Sequence, residues 1–406
     1  MQKSKGGVQA LVGSSIAVFF PGSLSMGFLG VLSNQWQEMF HVGRGAISNS
    51  MFFVVVAIGI SMPFVGRWQE RFGVRRVMTV GAIICALDVL IIAFASHLWE
   101  LYLFAFINGL SFSLIYIPAI TTVQQWFPSR RGLVSGIVNL SFGGSAAVMS
   151  PVFALMLTSM GYVPMNIVLA VATLIIATAA AQITKSPVQT PLLDSKSETD
   201  VSFSTRTGNS ITVSQSIRTK NFWLLWVIAI LQGSAGISMV TLSVVFGLSR
   251  GFALESAVVL LMAFSLGNGL GRFLMGYLSD ILGPKLTMSF SFLAAAAAYF
   301  CLPHITLLSV MALAAGFVGT AFGTLMTVSP PLTIDCFGID HFGAIYGLVL
   351  TGYSFFGGIV GPALSGYLLD VTNTNFNIVF SYLGVFCLIA GSMIWFVVPP
   401  KRQTGA

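Results

Sequence analysis

Arg272 stands inside a long apolar segment, in the stretch Gly267-Asn268-Gly269-Leu270-Gly271-Arg272, and no other Lys or Arg of the chain does so clearly. A charge at that depth costs roughly 3 kcal/mol or more and marks a site unless something local neutralises it. No Asp or Glu occurs between Glu255 and Asp280, so the helix that carries Arg272 supplies no counter-ion. A guanidinium fork pairs bidentately with a carboxylate, and the simplest ligand is therefore a small carboxylate. Asn268, one turn away, is placed either to orient the second oxygen or to bind a neighbouring helix. The rival readings are a structural ion pair and a side chain reaching for the membrane surface. Arg272 lies seven residues from Ser279, roughly 10 Å along a helix. Helical side chains lean toward the N-terminus, which in this inward-running helix points Arg272 toward the bilayer centre.

Further polar residues in apolar segments are weaker candidates for a cavity lining. Tyr116 precedes Pro118, where helix distortion exposes backbone, and Asn108, Asn139, Gln232 and Tyr353 sit at comparable depth. Each serves equally well as an ordinary helix-to-helix hydrogen bond. Asp88 is the one clear acid within a span; a structural role is the first reading, a proton relay the alternative. The histidines, His41, His97, His304 and His341, fall in loops or at helix ends with no metal-ligand spacing. Cys85, Cys301, Cys336 and Cys387 are far apart and read as packing residues. No catalytic grouping emerges, so the expectation is no enzyme, no metal and no cofactor.

The elements that must position these groups are membrane helices. Of 406 residues 56% are hydrophobic and only 8% charged, with a mean hydropathy of +0.90, against roughly 25% charged in a soluble domain. Apolar spans fall near 8–32, 44–66, 76–95, 100–124, 132–158 and 164–183, then 220–247, 254–278, 285–302, 305–330, 342–369 and 377–398. The predicted architecture is all-α, with twelve transmembrane helices in two pseudo-symmetric six-helix bundles. The bundles are residues 1–183 and 220–406, joined by a Ser/Thr-rich polar linker at 184–219.

The net charge of +7 reflects loop placement and not a nucleic-acid surface. One side of the membrane receives Lys3, Lys5, Arg67, Arg71, Arg75, Arg76, Arg130, Arg131, Lys185, Lys196, Arg206, Arg218, Lys220, Lys285, Lys401 and Arg402; the other receives Arg44 and Arg250. That asymmetry puts both termini in the cytoplasm, in a plasma or inner membrane. Lys3 and Lys5 precede a first span too long for a cleaved leader, so that helix is expected to be retained. Trp223 and Trp226 are expected to anchor the seventh span at the interface.

The halves also resemble one another. Gly66, Glu70, Gly73 and Arg75 find counterparts 210 residues later in Gly276, Asp280, Gly283 and Lys285. Phe127, Gly132, Gly136 and Pro151 match Phe337, Gly343, Gly347 and Pro362 at 210 or 211. Duplicated helical membrane proteins of this size are commonly transporters that rock one half against the other.

The turn Gly66-x-x-x-Glu70-Arg71-x-Gly73-x-Arg75-Arg76 resembles the loop motif of the major facilitator superfamily, with Glu where Asp is commoner. By that resemblance Glu70, Arg71, Asp280 and Lys285 belong to a cytoplasmic gate. Trp126 to Gly136 with Gly143-Gly144, Phe222-Trp223-Leu224-Leu225-Trp226, and Asn268-x-x-x-Arg272 are similar to motifs of monocarboxylate transporters and bacterial oxalate/formate antiporters. In those families the eighth-helix Arg binds the substrate carboxylate, and lactate-transporting relatives place a pocket aromatic near Tyr116. The chain departs from them at Gly22-Ser23, where animal relatives carry an acid. It departs again in having no Lys or Arg between Lys285 and Lys401, where the oxalate antiporter has a second pocket cation.

The expected function is secondary transport of a small monocarboxylate such as lactate, pyruvate or formate by alternating access, through proton symport or anion exchange. A dicarboxylate such as oxalate, a neutral solute, and a sensor that does not transport are the alternatives. The expected partners are that carboxylate, with or without a proton, and the lipid bilayer, with no nucleic acid.

Overall fold

Within a bilayer core a backbone must satisfy its own hydrogen bonds, so an apolar chain of this kind can only be helical there. The computed structural model describes residues 2–43, 46–47, 49–187, 211–372 and 375–399. Arg44, the linker charges Asp194, Lys196, Glu198, Asp200 and Arg206, and Lys401 and Arg402 lie outside the described residues. Among the described residues eleven helices are long and apolar enough to cross a membrane. The remaining predicted span, the third (Val74–Ile92), is a 19-residue helix that carries Arg75, Arg76 and Asp88, too many charges for that criterion.

The first span comprises Gln2–Gly22, a π-helical turn Ser23–Phe28 and Leu29–Phe40. The second is Ser50–Phe72, the fourth Leu98–Trp126, the fifth Arg131–Met160 and the sixth Tyr162–Ile183. The seventh to tenth are Lys220–Ser249, Leu254–Leu282, Pro284–Cys301 and Leu308–Phe337. The eleventh is Phe342–Thr351, a second π-helical turn Gly352–Gly357, and Gly358–Val371; the twelfth is Phe376–Met393. Several helices outrun the apolar segments that announced them, because hydropathy reports membrane depth while the hydrogen-bond ladder continues into the polar ends.

The two repeat turns share one backbone device. Gly73 has φ 84° and Gly283 φ 87°, and each closes one helix while opening the next. Only glycine adopts that conformation without strain, which is why the pair recurs at a fixed offset.

Each six-helix bundle has its own apolar core. Val18, Val77, Ile115, Ile120 and Val138 fill the first, and Met239, Phe264, Phe292, Tyr299, Val318 and Phe380 the second. The first core also takes in Ile334, Phe342, Tyr346 and Leu350 from the second bundle, so the halves meet through apolar contact. They meet most closely at the end that carries the two repeat turns, here termed the base. A Cβ added to Gly66 would lie 2.1 Å from the Ala344 nitrogen, and one on Gly132 would lie 2.2 Å from the Gly276 carbonyl. Further in, Gly136 approaches the Arg272 carbonyl and Gly347 that of Met62 at 2.6 and 2.5 Å by the same measure. Small residues let these backbones touch, and the base is closed.

The two tryptophans expected at the interface part company. Trp223 is 48% exposed and donates to the Ile217 carbonyl at 2.9 Å. Trp226 instead turns inward and donates to Thr351 Oγ1 of the eleventh span at 3.0 Å.

Candidate functional site

Arg272 is 3% exposed, set between the bundles. Its side chain runs back along the eighth span, where Nε donates to Asn268 Oδ1 at 3.1 Å. Nη1 crosses to the other bundle and donates to the Asn139 carbonyl at 3.0 Å. The guanidinium carbon lies 5.6 Å from the centroid of the Phe142 ring, a cation–π distance. Gly143 leaves the room, since a Cβ there would stand 3.3 Å from Nη1. Gly323 of the tenth span likewise admits the aliphatic stem, with a Cβ–Cγ approach of 3.1 Å. The side chain therefore meets neither lipid nor a fixed acid: among the described residues no carboxylate is within ion-pair distance of Arg272. Both bonds go to neutral oxygens, which solvate a positive charge without cancelling it.

Asn139 is the hub of the site. Its Oδ1 accepts from Tyr116 Oη at 3.1 Å, and its Nδ2 donates to the Ser135 carbonyl at 2.9 Å and, at 3.5 Å, to the Met326 carbonyl in the other bundle. Tyr116 stacks on Phe112 with centroids 4.9 Å apart, and Phe112 meets Phe142 at 4.8 Å. The aromatic wall thus continues to the face beneath the guanidinium. Tyr116, Tyr346 and Tyr353 are close enough to Arg272 to interact with it electrostatically.

The structure brings Arg272, Asn268, Asn139 and Tyr116 into one bonded cluster, with Tyr353 at its edge over Gly233 and 6.1 Å from Phe322. Among the described residues Asn108 and Gln232 make no hydrogen bond to it; both are fully buried with neither amide atom hydrogen-bonded. Asp88 is also fully buried, with both carboxylate oxygens unpartnered, and neighbours Cys85 in its own helix. Phe142, Gly143, Phe112 and Tyr346 were not singled out for this role from sequence. Phe142 directly precedes the Gly143-Gly144 pair, and a search for an aromatic beside that opening would have found it. The missing first-helix acid also has a steric counterpart: a Cβ on Gly22 would fall 2.6 Å from the Phe142 ring.

At the base, Asp280 accepts from the Gly132 and Leu133 amides of the fifth span at 2.7 and 2.8 Å. Those amides are free because they begin a helix, and the helix dipole favours an acid there. Glu70 meets His341 at 3.3 Å across the halves, and Arg131 meets Asp335 at 3.5 Å. Among the described residues neither Arg71 nor Lys285 forms an ion pair across the halves. The Arg71 guanidinium lies 5.3 Å from the ring of its neighbour Phe72, and Lys285 Nζ donates to the Trp395 carbonyl within its own bundle. The lock on the fifth span thus draws also on Arg131.

Comparison with known proteins agrees with this architecture. A family model described as Major Facilitator Superfamily matches residues 14–266 and 256–406. The Oxalate:formate antiporter of Oxalobacter formigenes is 25% identical over 90% of this chain and 86% of its own length. Monocarboxylate transporter 14 of Mus musculus is 29% identical over 33% of this chain and 27% of its own. The crystal structure of FucP, a major facilitator superfamily transporter in its outward conformation, superposes with a TM-score of 0.73. It covers 96% of this chain and 98% of its own at 16% identity, a likeness of fold. With a family model spanning nearly its whole length and the duplicated six-helix bundles that go with it, the chain belongs to the major facilitator superfamily of membrane transporters.

Proposed function

We propose that this protein transports a small monocarboxylate by alternating access, with Arg272 gripping the carboxylate between the bundles. The observation that carries the reading is a buried guanidinium, at the seam of the two halves, whose bonds go to an amide oxygen and a backbone carbonyl and not to an acid. A desolvated cation held this way gains most from an anion that it can meet with its fork. The relative named Oxalate:formate antiporter, similar over most of both chains, supports an organic anion as the cargo. A single charge suits the site better than two, since no Lys or Arg occurs between Lys285 and Lys401 to receive a second carboxylate. The bias of Lys and Arg supports a cytoplasmic position for the base and both termini. Glu70, His341, Asp280, Arg131 and Asp335 then hold the cytoplasmic side shut.

Counterflow in proteoliposomes tests this, with labelled lactate competed by formate, pyruvate, oxalate and neutral sugars. The wild type exchanges monocarboxylates, and Arg272→Gln abolishes exchange while its thermal melt still shows a folded protein. Arg272→Lys keeps the charge but not the fork and is expected to exchange weakly. Undiminished exchange by Arg272→Gln would overturn the site, and stronger competition by sugars would overturn the cargo. Repeating the assay with an imposed pH gradient separates proton symport from exchange.

A further inference from the structure

A second cationic site lies at the base, on the outer side of the first bundle. A cleft of about 940 Å³ opens where the second span ends, the third begins and the sixth ends, with Arg71, Arg75, Arg76, Thr79, Gln182 and Ser186 in its wall. Among the described residues no carboxylate lines it. Glu70, next to Arg71 in sequence, is turned away toward His341. Among the described residues none of the three arginines has an ion-pair partner, and Arg75 Nε is buried without a hydrogen bond. The first turn of the third span adds backbone amides that no side chain caps. Gln182 donates to Thr79 Oγ1 at 2.8 Å, and Thr79 donates to the Arg75 carbonyl at 2.7 Å, which ties the wall together across two helices.

The cleft continues directly into an apolar surface. Val80 belongs to its wall and is 50% exposed, and Ile83 and Leu87 follow on the same face of the third span. The occupant must therefore carry an anionic head and an apolar tail. We propose that this cleft binds the headgroup of an anionic phospholipid, its phosphate held by Arg75 and Arg76 and its acyl chains laid along Val80, Ile83 and Leu87. Under the orientation proposed above this lipid belongs to the cytoplasmic leaflet. A zwitterionic lipid brings a cation of its own, and among the described residues no acid lines the cleft to meet it. A free phosphate gains nothing from the apolar stripe. Basic pockets beside spanning helices on that side of a membrane are suited to such headgroups.

Delipidated protein in detergent, titrated with short-chain phosphatidylglycerol, tests the site; phosphatidylcholine and sn-glycerol 3-phosphate form the comparison arms. Saturable binding of phosphatidylglycerol is expected, with phosphatidylcholine and glycerol phosphate at least tenfold weaker. Arg75→Gln with Arg76→Gln is expected to weaken it about thirty-fold, a few-fold for each charge removed near the surface. The Lys pair at the same positions is expected to recover most of the binding. Should the Gln pair fail to fold, Ser186→Glu, at an exposed coil position, places a negative charge in the wall and is expected to give a loss of the same sense. Equal binding of the two phospholipids, or unchanged binding in a folded Gln pair or in Ser186→Glu, would overturn the proposal. Glycerol phosphate binding as tightly as the lipid would overturn the lipid in favour of a soluble phosphate.

Discussion

Replacing Asp280 by Asn isolates the strength of one lock on the closed base. The carboxylate accepts two amide bonds, 2.7 Å from Gly132 and 2.8 Å from Leu133. Asparagine keeps one acceptor but turns an amino group toward the other N–H, so one bond weakens and one is lost. A charge-assisted bond contributes ~1.5–3 kcal/mol and a neutral one about 1. The charge at a helix N-terminus adds ~0.3–1 kcal/mol. Asp280 is exposed, which argues for the lower end of each range, and the total is roughly 2 kcal/mol. That corresponds to about a thirty-fold change in the ratio of base-open to base-closed molecules. A wild type with about 1% open molecules would become roughly one-quarter open. Nitroxide labels at Ser129 and Arg218, both exposed at the base, report this as a longer-distance population in pulsed electron–electron resonance, with the four native cysteines replaced. A variant whose distance distribution superimposes on that of the wild type would refute the assignment of Asp280 as a lock.

Other outcomes follow from the same geometry. Gly132→Val should force the base apart more strongly than Asp280→Asn, because its Cβ would fall 2.0 Å from Ser279 Oγ and 2.2 Å from the Gly276 carbonyl; the same distance measurement checks it. His341→Ala should shift that distribution by less than about five-fold, since an exposed pair at 3.3 Å contributes only ~0–1 kcal/mol. Tyr116→Phe removes the donor to Asn139 Oδ1 and should raise the KM for exchange about five-fold, near 1 kcal/mol, with the maximal rate little changed. Asp88→Asn should leave the melt and the counterflow rate close to wild type, because neither carboxylate oxygen has a partner to lose; a drop of more than about tenfold in counterflow would assign Asp88 to the transport path.

What could be read along the chain, and what could not, divides by physical cause. Glycines that a backbone conformation demands repeat visibly, so Gly73 and Gly283 exposed the duplication and, through it, the two bundles. Arg272 was legible because a charge among apolar residues is rare and because a helical side chain leans in a known direction. Its neighbour Asn268 followed from helical spacing. The partner across the seam did not: Asn139 stands 133 residues away, and periodicity orients a face without saying which helix of the other bundle meets it. The same gap hid the Arg131–Asp335 pair and the capture of the fifth-span amides by Asp280. For Lys285, repeat position gave no hint that the Trp395 carbonyl would claim its ammonium within the same bundle. Trp226 shows the converse error of composition: a tryptophan near a helix start suits the interface, yet an available Thr351 hydroxyl drew it inward.

Under the proposed function, the position of Arg272 also links binding to motion. Its Nη1 bond to the Asn139 carbonyl is itself a bond between the two halves, set deeper than the exposed contacts at the base. A ligand shifts a two-state equilibrium only by the difference in its affinity for the two states. A carboxylate that accepts from the fork while Asn139 remains bonded adds contact to both bundles and favours a state closed around it. One that draws the guanidinium off Asn139 loosens the seam, leaving Asp280, Glu70 and Arg131 to hold the base alone. Those base contacts are few and partly exposed, from ~0–1 kcal/mol for the Glu70–His341 pair to roughly 2 kcal/mol for Asp280. They can hold an empty carrier shut, yet the binding energy of one desolvated ion pair is large enough to outweigh them. Proteins that lack the Arg272–Asn139 bond but keep the base contacts would lose this coupling while retaining the closed resting state. The variant Asn139→Ala cannot test that, because the bond is made by backbone; Gly143→Ala, whose methyl would stand 3.3 Å from Nη1 and displace the guanidinium, can.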